Sequence, residues 1–184
     1  MSQHINKQYN ENNAKNKFYQ TKTISDKNLT NIMQSQSTKD VAHTHYLNQL
    51  IELSEVQEIT KFIIIERPSI QVLNNGILFL FQKYQKGNPK FYEILNTLLH
   101  KNVSVNTPLN IIQQNQKKSE NISLLMFAIK HNDIDLIKLI LEYHPDINQK
   151  DSLGRTGIIY AIIYNNHDSP EIIKVLIQNN AYIN

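Results

Sequence analysis

Apolar residues recur at helical spacing from Ala42 onward, in segments of about ten residues that short polar breaks separate. The segment HYLNQLIEL places its apolar residues on one broad face, namely Tyr46, Leu47, Leu50, Ile51 and Leu53. Ser54 then offers an N-cap, with Gln57 three residues later, before the next apolar segment, VQEITKFIII. Because the same alternation continues to the end of the sequence, the pattern predicts a series of short helix pairs.

The second helix of each pair follows one pattern of fourteen residues. The four copies are EITKFIIIERPSIQ from Glu58, EILNTLLHKNVSVN from Glu93, DLIKLILEYHPDIN from Asp135 and EIIKVLIQNNAYIN from Glu171. Each begins with an acidic residue, continues with mainly apolar residues and ends in Asn or Gln. Four ungapped copies indicate an internal repeat, and therefore a fold built from one repeated unit.

This pattern resembles the outer helix and following turn of ankyrin repeats, whose family pattern runs Glu-Ile-Val-Lys-Leu-Leu-Leu-x-x-Gly-Ala-Asp-Val-Asn. The stretch DSLGRTGIIYA resembles the other half of that repeat, Asp-x-x-Gly-x-Thr-Pro-Leu-His-x-Ala-Ala. Asp151, Gly154 and Thr156 match this second pattern, and Gly157 replaces the proline at the first helical position. Since the preset φ of proline is lost there, we expect this unit to be less stable than one that follows the pattern.

The resemblance implies an all-α fold, an ankyrin-type helical repeat solenoid of about four helix pairs over residues 43–184. The expected units are about 43–71, 72–106, 118–150 and 151–184. The spacing between Asn106 and Ser123 is about nine residues longer than the family pattern, so an extended loop is expected at 107–117. Stacked units share a continuous core, and three or more are needed for stability.

Residues 1–42 have a different composition. They contain 12 Asn or Gln residues and no Gly or Pro, and they carry six lysines against three acidic residues. Because little apolar surface could be buried there, we expect a disordered Asn/Gln/Lys-rich tail. Leu29, Ile32 and Met33 have helical spacing, so a short partner-binding helix is the alternative to incidental apolar residues.

Composition excludes several classes of protein. The absence of cysteine excludes disulfides, thiolate zinc sites and cysteine nucleophiles. The first thirty residues lack the apolar core of a signal peptide, and no run reaches the roughly 18 apolar residues of a membrane span. We therefore expect a soluble protein of the cytoplasm or nucleus that does not enter a membrane, with secretion into a host by a non-classical route as the alternative.

A nucleic-acid partner is not favoured by the charge distribution. The whole formal excess of +3 lies in residues 1–42, and the chain has only two arginines. Duplex binding needs clustered Lys and Arg that release counterions from the phosphates. Binding of DNA or RNA through the lysine-containing tail is therefore kept only as a third hypothesis.

Candidate catalytic and metal-binding side chains have structural explanations. A metal site at His43 and His45, or at His131 beside Asp133, would need three or four converging ligands. Asp133 and Ser123 each precede a predicted helix, where such residues cap free N–H groups. We therefore expect no enzyme activity, no cofactor, no metal and no small-molecule substrate.

Protein binding is the function that remains. In the ankyrin family, partners contact the hairpin tips and the exposed side of the inner helices. By position, the resemblance assigns this role to Ser152, Leu153, Arg155, Ile163, Tyr164, Ser119, Glu120, Ile122, Lys130 and His131. Tyr and Arg are enriched in binding hot spots. The alternative is that Leu153, Ile163 and Tyr164 pack against a following unit.

The segment IIYAIIY, residues 158–164, is apolar nearly all round its predicted helix, which predicts a neighbour on both sides. We interpret the chain either as the N-terminal part of a longer array or as an array that a partner caps. The end at Asn184 coincides with the end of a unit and favours the longer array. The main hypothesis is a non-enzymatic interaction module or scaffold. The alternative is the targeting or regulatory part of a larger enzyme or secreted effector whose active domain lies beyond residue 184.

Overall fold

The computed structural model describes residues 36–101, 103–112, 119–164 and 170–183. Within these ranges the chain forms eight α-helices and one two-stranded antiparallel sheet. The elements in chain order are α1 (Gln36–Glu52), α2 (Val56–Glu66), α3 (Ile70–Gln82), α4 (Pro89–Leu99), β1 (Leu109–Ile112), β2 (Ser119–Ile122), α5 (Leu124–Lys130), α6 (Ile134–Leu141), α7 (Gly157–Tyr164) and α8 (Pro170–Gln178). No helix among these has the length and apolar content to cross a membrane.

The helices pack as consecutive pairs within the compact unit His43–Asn184. Partners within a pair touch in α3 with α4, α5 with α6 and α7 with α8. The second helices also form a row, α2 on α4 and α4 on α6, and among the first helices α5 packs on α7. The chain therefore has an inner row of first helices and an outer row of second helices.

One continuous apolar core runs through this unit. Helix α5 lies between neighbours on several sides, and all six of its residues from Leu124 to Ile129 are buried. The outer helix α6 buries one stripe, Leu136, Ile137 and Ile140, which follows the 3.6-residue period of a helix with one face on a core. The predicted amphipathic helix pairs are thus present.

Glycines stand where neighbouring inner helices approach each other most closely. A Cβ on Gly157 would lie 3.1 Å from Ile129 Cδ1, and one on Gly76 would lie 2.6 Å from Leu47 Cδ2. Gly157 begins α7, as the sequence predicts. Its lack of a side chain lets α7 lie close against α5, which gives a packing reason for the missing proline.

Helix caps follow the sequence expectation at two of three positions. The Ser123 hydroxyl accepts from the Met126 N–H at 3.1 Å, and the Asp133 carboxylate accepts from the Leu136 N–H at 3.0 Å. Ser54 is not the N-cap of α2, and that prediction is wrong. It has a φ of +55° and ends α1, and the next N–H, that of Glu55, bonds back to the carbonyl oxygen five residues earlier.

The extended loop expected at 107–117 instead contains a strand. Residues 109–112 pair with 119–122 in an antiparallel register that places Leu109 opposite Ile122 and Asn110 opposite Asn121. Leu109 and Ile122 are both buried, so the pairing covers part of the core beside α5. The six residues between the strands are outside the described ranges.

Helix α1 begins at Gln36, inside the segment for which the composition predicts a disordered tail. Once the packed turns from Tyr46 to Ile51 have formed, each further N-terminal residue adds one hydrogen bond, so a helix can extend into a polar segment. The prediction for residues 1–35, which includes the possible helix at Leu29, Ile32 and Met33, lies outside the described residues.

Candidate interaction surface

A buried carboxylate organises the turn before α7. Asp151 Oδ1 accepts from the backbone N–H groups of Leu153 at 2.9 Å and Arg155 at 2.8 Å. Asp151 Oδ2 accepts from Arg155 Nε at 2.7 Å and from the Tyr160 hydroxyl at 3.0 Å. Burial alone would raise the pKa of Asp151, but the hydrogen bonds from Arg155, Tyr160 and Leu153 hold it below its ordinary value. The ionised carboxylate therefore fixes the turn.

This turn presents two exposed side chains at its tip. Ser152 is exposed and Leu153 is 63% exposed, while Gly154 adopts a φ of +77° that suits a residue without a side chain. Leu153 is thus an apolar side chain that the hydrogen-bonded turn holds exposed to water.

Arg155 does not lie open for a partner. Its guanidinium binds Asp151, donates to the Tyr160 hydroxyl at 2.8 Å and lies over the Tyr160 ring at 4.8 Å. Its side chain is 20% exposed. Because these contacts occupy the guanidinium, we correct its assignment from partner contact to the residue that neutralises Asp151 and positions the tip.

The end of α7 carries the inner-helix part of the predicted surface. Ile163 is 51% exposed, and Tyr164 is half-buried against the Tyr160 ring, with centroids 5.4 Å apart. The Lys130 ammonium, at the end of α5, lies 5.3 Å from the centre of the Tyr164 ring. The structure therefore brings Lys130, Ile163 and Tyr164 together. Because α7 has eight residues, it separates them from the tip by about 12 Å.

His131 follows Lys130 and is exposed at its edge, while its ring packs on Phe127 at 4.3 Å and on Tyr84 at 4.9 Å. Burial, followed by the positive charge of Lys130, lowers the pKa of His131, and the charge of Asp133 opposes this effect. His131 is therefore neutral near pH 7 and offers a partner an uncharged ring edge.

The β2 part of the predicted surface is wrong at Ile122. Ile122 is fully buried opposite Leu109, because the strand register turns it into the core. It cannot contact a partner. Ser119 and Glu120 lie on the same strand, and their side chains are outside the described part of the structure.

Helix α7 also exposes two apolar residues, Ile159 and Ile162, that were not among the predicted partner contacts. Ile159 and Ile162 follow Met126 and Ile129 of α5 by 33 residues each. Met126 and Ile129 are buried, whereas Ile162 is 68% exposed and Ile159 is exposed. The sequence signal for this exposed apolar face is the segment IIYAIIY, which is apolar nearly all round its helix. Helix α7 thus has a covered face toward α5 and a bare face on its far side.

A further polar cluster joins neighbouring helix pairs. The Tyr84 and Tyr92 hydroxyls donate to Asp133 Oδ2 at 2.7 and 2.8 Å, and the Lys86 ammonium donates to the Asn132 carbonyl at 2.6 Å. Every one of these bonds spans from the α3–α4 pair to the turn before α6. The cluster therefore links the α3–α4 pair to the α5–α6 pair and has a structural role. Over the described ranges, no group of three or more His, Asp and Glu residues is arranged to hold a metal ion.

The chain is similar in sequence to known repeat proteins. The family model for ankyrin repeats, described as three copies, matches residues 80–184. A protein of fowlpox virus (strain NVSL) named as ankyrin repeat protein FPV024 is 31% identical over 78 residues. A protein of Acanthamoeba polyphaga mimivirus named as ankyrin repeat protein L371 is 28% identical over 114 residues.

These two matches cover 42% and 58% of this chain but only 12% and 13% of the relatives, so the chain spans a small part of their length. The family model covers more than half of the chain. The ankyrin-type, mainly helical fold predicted from the sequence is confirmed by this match and by the eight described helices. The chain belongs to the ankyrin repeat family.

Proposed function

We propose that this chain is a non-enzymatic protein-interaction module that binds a partner protein through the turn before α7 and the adjoining ends of α5 and α7. The binding surface, here called the tip strip, consists of Ser152, Leu153, Lys130, His131, Ile163 and Tyr164. Ankyrin repeats are generally protein–protein interaction modules, which supports binding as the function. The observation that carries the assignment is the exposure of Leu153 and Ile163 on rigid elements.

The geometry favours binding for an energetic reason. Full burial of a Leu or Ile side chain contributes about 1.5–3 kcal/mol, and a tenfold change in affinity corresponds to about 1.4 kcal/mol. The Asp151–Arg155 contacts hold the tip before any partner arrives, so little ordering entropy is lost on binding. Tyr164 adds an aromatic anchor beside the Lys130 ammonium.

Affinity capture tests this proposal. The full chain, immobilised through its N-terminus, would be exposed to lysate of the source cells, and bound proteins would be quantified by mass spectrometry. The double variant Leu153→Ser/Ile163→Ser should retain at least tenfold less of a specific partner. The control Glu142→Ser/Lys174→Ser changes two exposed residues, one directly after α6 and one in α8, and should retain it fully. The tip strip is excluded as the binding surface if Leu153→Ser/Ile163→Ser retains every captured protein. It is also excluded if this variant and the control lose the captured proteins equally.

A second candidate function is that of the ankyrin part of a larger protein, with a targeting or regulatory role. The observation that favours it is the bare face of α7. Ile162 stands one repeat after Ile129, which α7 covers completely. A following helix pair would cover Ile159 and Ile162 in the same way. The small share of the viral relatives that this chain spans agrees with a longer array.

Extending the chain separates this candidate from the first. A copy of residues 151–183 appended after Asn184 should raise the free energy of unfolding by about 2 kcal/mol or more, since it would bury Ile159 and Ile162. Ile162→Asp should then cost about 3 kcal/mol in the extended chain and less than about 0.5 kcal/mol in the original one. Equal effects of Ile162→Asp in both chains would contradict the candidate. The reading frame downstream of Asn184 gives an independent answer.

A further inference from the structure

A groove of about 420 Å³, lined by both apolar and polar surface, lies at the other end of the array, away from the tip strip. It is formed by the end of α2, the start of α3 and the turn after α4. Ile63 and Leu73 line it and are buried, while Ile64 and Ile70 line it and are 57% and 50% exposed. The groove thus has a covered apolar base and apolar sides that water reaches.

Two cations complete the groove. Arg67 and Lys101 both line it, both are exposed, and no acidic residue is among its lining. Within the part of the chain that the structure describes, neither side chain has a hydrogen bond or ion pair. The other arginine of the chain, Arg155, is fully engaged by Asp151. The groove therefore combines several apolar side chains with two positive charges that the described chain does not neutralise.

The backbone at Arg67 supports a role for its side chain. Arg67 has a φ of +46° and stands in the repeat where the family pattern has glycine, as do His144 with +50° and Asn180 with +68°. Asn and His are enriched among residues that adopt this left-handed conformation, and arginine is not. This conformation is strained for an L-residue, and no hydrogen bond or ion pair of the Arg67 side chain with described residues offsets the strain.

We propose that this groove binds an acidic amphipathic segment of a partner protein. Aliphatic side chains of the segment pack on Ile63, Leu73 and the exposed isoleucines, and its carboxylates bind Arg67 and Lys101. A guanidinium accepts a carboxylate with two parallel hydrogen bonds, which gives both strength and orientation. This site is separate from the tip strip and does not depend on it.

Other anionic ligands fit the groove less well. Single-stranded nucleic acid is bound by aromatic platforms and extended cationic tracks, whereas this lining has no aromatic residue and only two cations. An acyl chain needs a cavity that encloses most of its surface. Here Ile64 and Ile70 remain half or more exposed, which suits the single apolar face of an amphipathic segment laid into an open groove.

Panning a phage-displayed library of random 12-residue peptides against the full chain tests the proposal. We expect the enriched peptides to combine Leu, Ile or Phe with Asp or Glu. A synthetic peptide of the enriched sequence, measured by fluorescence anisotropy, should bind Arg67→Gly at least tenfold more weakly than the wild type, and Lys101→Gln several-fold more weakly. Affinity should also fall as salt is raised, because the contacts are between charges.

His144→Gly is the matched control, since His144 has the same left-handed backbone and does not line the groove. Both glycine variants should be as stable as the wild type or more stable, so loss of binding in Arg67→Gly alone cannot be unfolding. The proposal is overturned if no peptide is enriched, if the peptides lack acidic residues, or if Arg67→Gly binds them normally. It is also overturned if dodecanoate or a mixed-sequence 20-nucleotide DNA binds with Arg67 dependence while the peptides do not.

Discussion

Replacing Asp151 with Asn removes one charge from the turn before α7 and changes little in shape. The amide oxygen can keep the Oδ1 bonds from the Leu153 and Arg155 N–H groups, at 2.9 and 2.8 Å. The amide nitrogen takes the place of Oδ2 and cannot accept from Arg155 Nε at 2.7 Å. The guanidinium then faces a second donor, and its charge has lost its counterion.

The expected cost follows from these contacts. A hydrogen bond to a charged group is worth about 1.5–3 kcal/mol, and removing one partner of a buried ion pair costs about 3–5 kcal/mol. The Asp151 side chain is fully buried but that of Arg155 is 20% exposed, so water can partly solvate the guanidinium. We therefore expect Asp151→Asn to lower the free energy of unfolding by about 3 kcal/mol, or the melting temperature by roughly 6–12 °C.

Urea unfolding followed by far-UV circular dichroism at pH 7 measures this change. Asp146→Asn is the control, since the exposed Asp146 side chain accepts among the described residues from the Asn148 N–H alone, at 3.0 Å, and asparagine can do the same. It should change stability by less than about 0.5 kcal/mol. A loss below about 1 kcal/mol for Asp151→Asn would refute the view that this carboxylate organises the turn.

The same carboxylate predicts a dependence on pH. Its pKa is lower in the folded chain than in the unfolded chain, where it is about 3.9. Its contribution to stability is therefore fully present above about pH 4 and is lost as the pH falls through the folded pKa. Asp151→Asn should remove that part of the acid dependence, which unfolding midpoints between pH 2 and pH 5 would reveal.

Three further substitutions should each change the stability of the chain or its dependence on pH. Gly76→Ala should lower stability by about 1 kcal/mol. Crowding of the new methyl group against the buried Leu47 costs about 1–3 kcal/mol, and the gain in helix propensity offsets about 1 kcal/mol of this. A more stable variant in thermal melts would contradict this prediction. Tyr84→Phe removes one of the two hydrogen bonds that tyrosine hydroxyls donate to Asp133, and it should lower the free energy of unfolding in urea by about 1.5 kcal/mol. No measurable loss would show that this link between helix pairs is dispensable. The pKa of His131 is lowered in the folded chain, so protonation favours the unfolded chain and stability should fall as the pH drops below about 6.5. His131→Gln should flatten part of that slope, and an unchanged slope would exclude His131 as its source.

Local sequence signals predicted most of the helices and two of their caps. Ser123 and Asp133 each cap a helix through an atom three residues away, so the residue type and its place before an apolar run are sufficient. Ser54 has the same local signature, but the chain uses it to end α1. Its backbone conformation depends on how α1 and α2 pack, which its neighbours in sequence do not determine.

Side-chain contacts that the repeat pattern does not specify explain the errors at the predicted surface. Ile122 is buried because its strand partner, Leu109, comes from a segment that the sequence pattern presents as a loop. Arg155 is half-buried because Tyr160, five residues later and inside α7, turns its hydroxyl back to the turn. By contrast, Leu153 and Ile163 are both exposed, since the repeat register determines which side of the unit they occupy, and their role as partner contacts stays a prediction.

The groove could not be found from sequence periodicity because three separate segments form it. Ile63 and Arg67 come from the end of α2, Ile70 and Leu73 from α3, and Lys101 from the turn after α4. Packing of α2 and α3 on α4 brings them together. One signal was nevertheless present, since an arginine occupies a glycine position of the repeat, and that signal acquires meaning only when the left-handed backbone and the neighbouring groove are known.

The repeat also shows how the same residue type can be buried in one unit and exposed in the next. Ile129 and Ile162 are the same residue type at the same place in consecutive units, yet one is fully buried and the other is 68% exposed. The difference comes only from the presence of a following helix, because α7 covers Ile129 and no described helix covers Ile162. In a solenoid, each unit leaves on its far side a surface that matches its own near side. The apolar face of α7 is therefore exposed, and covering it with another helix pair or a separate protein would be favourable for the same physical reason that holds the array together.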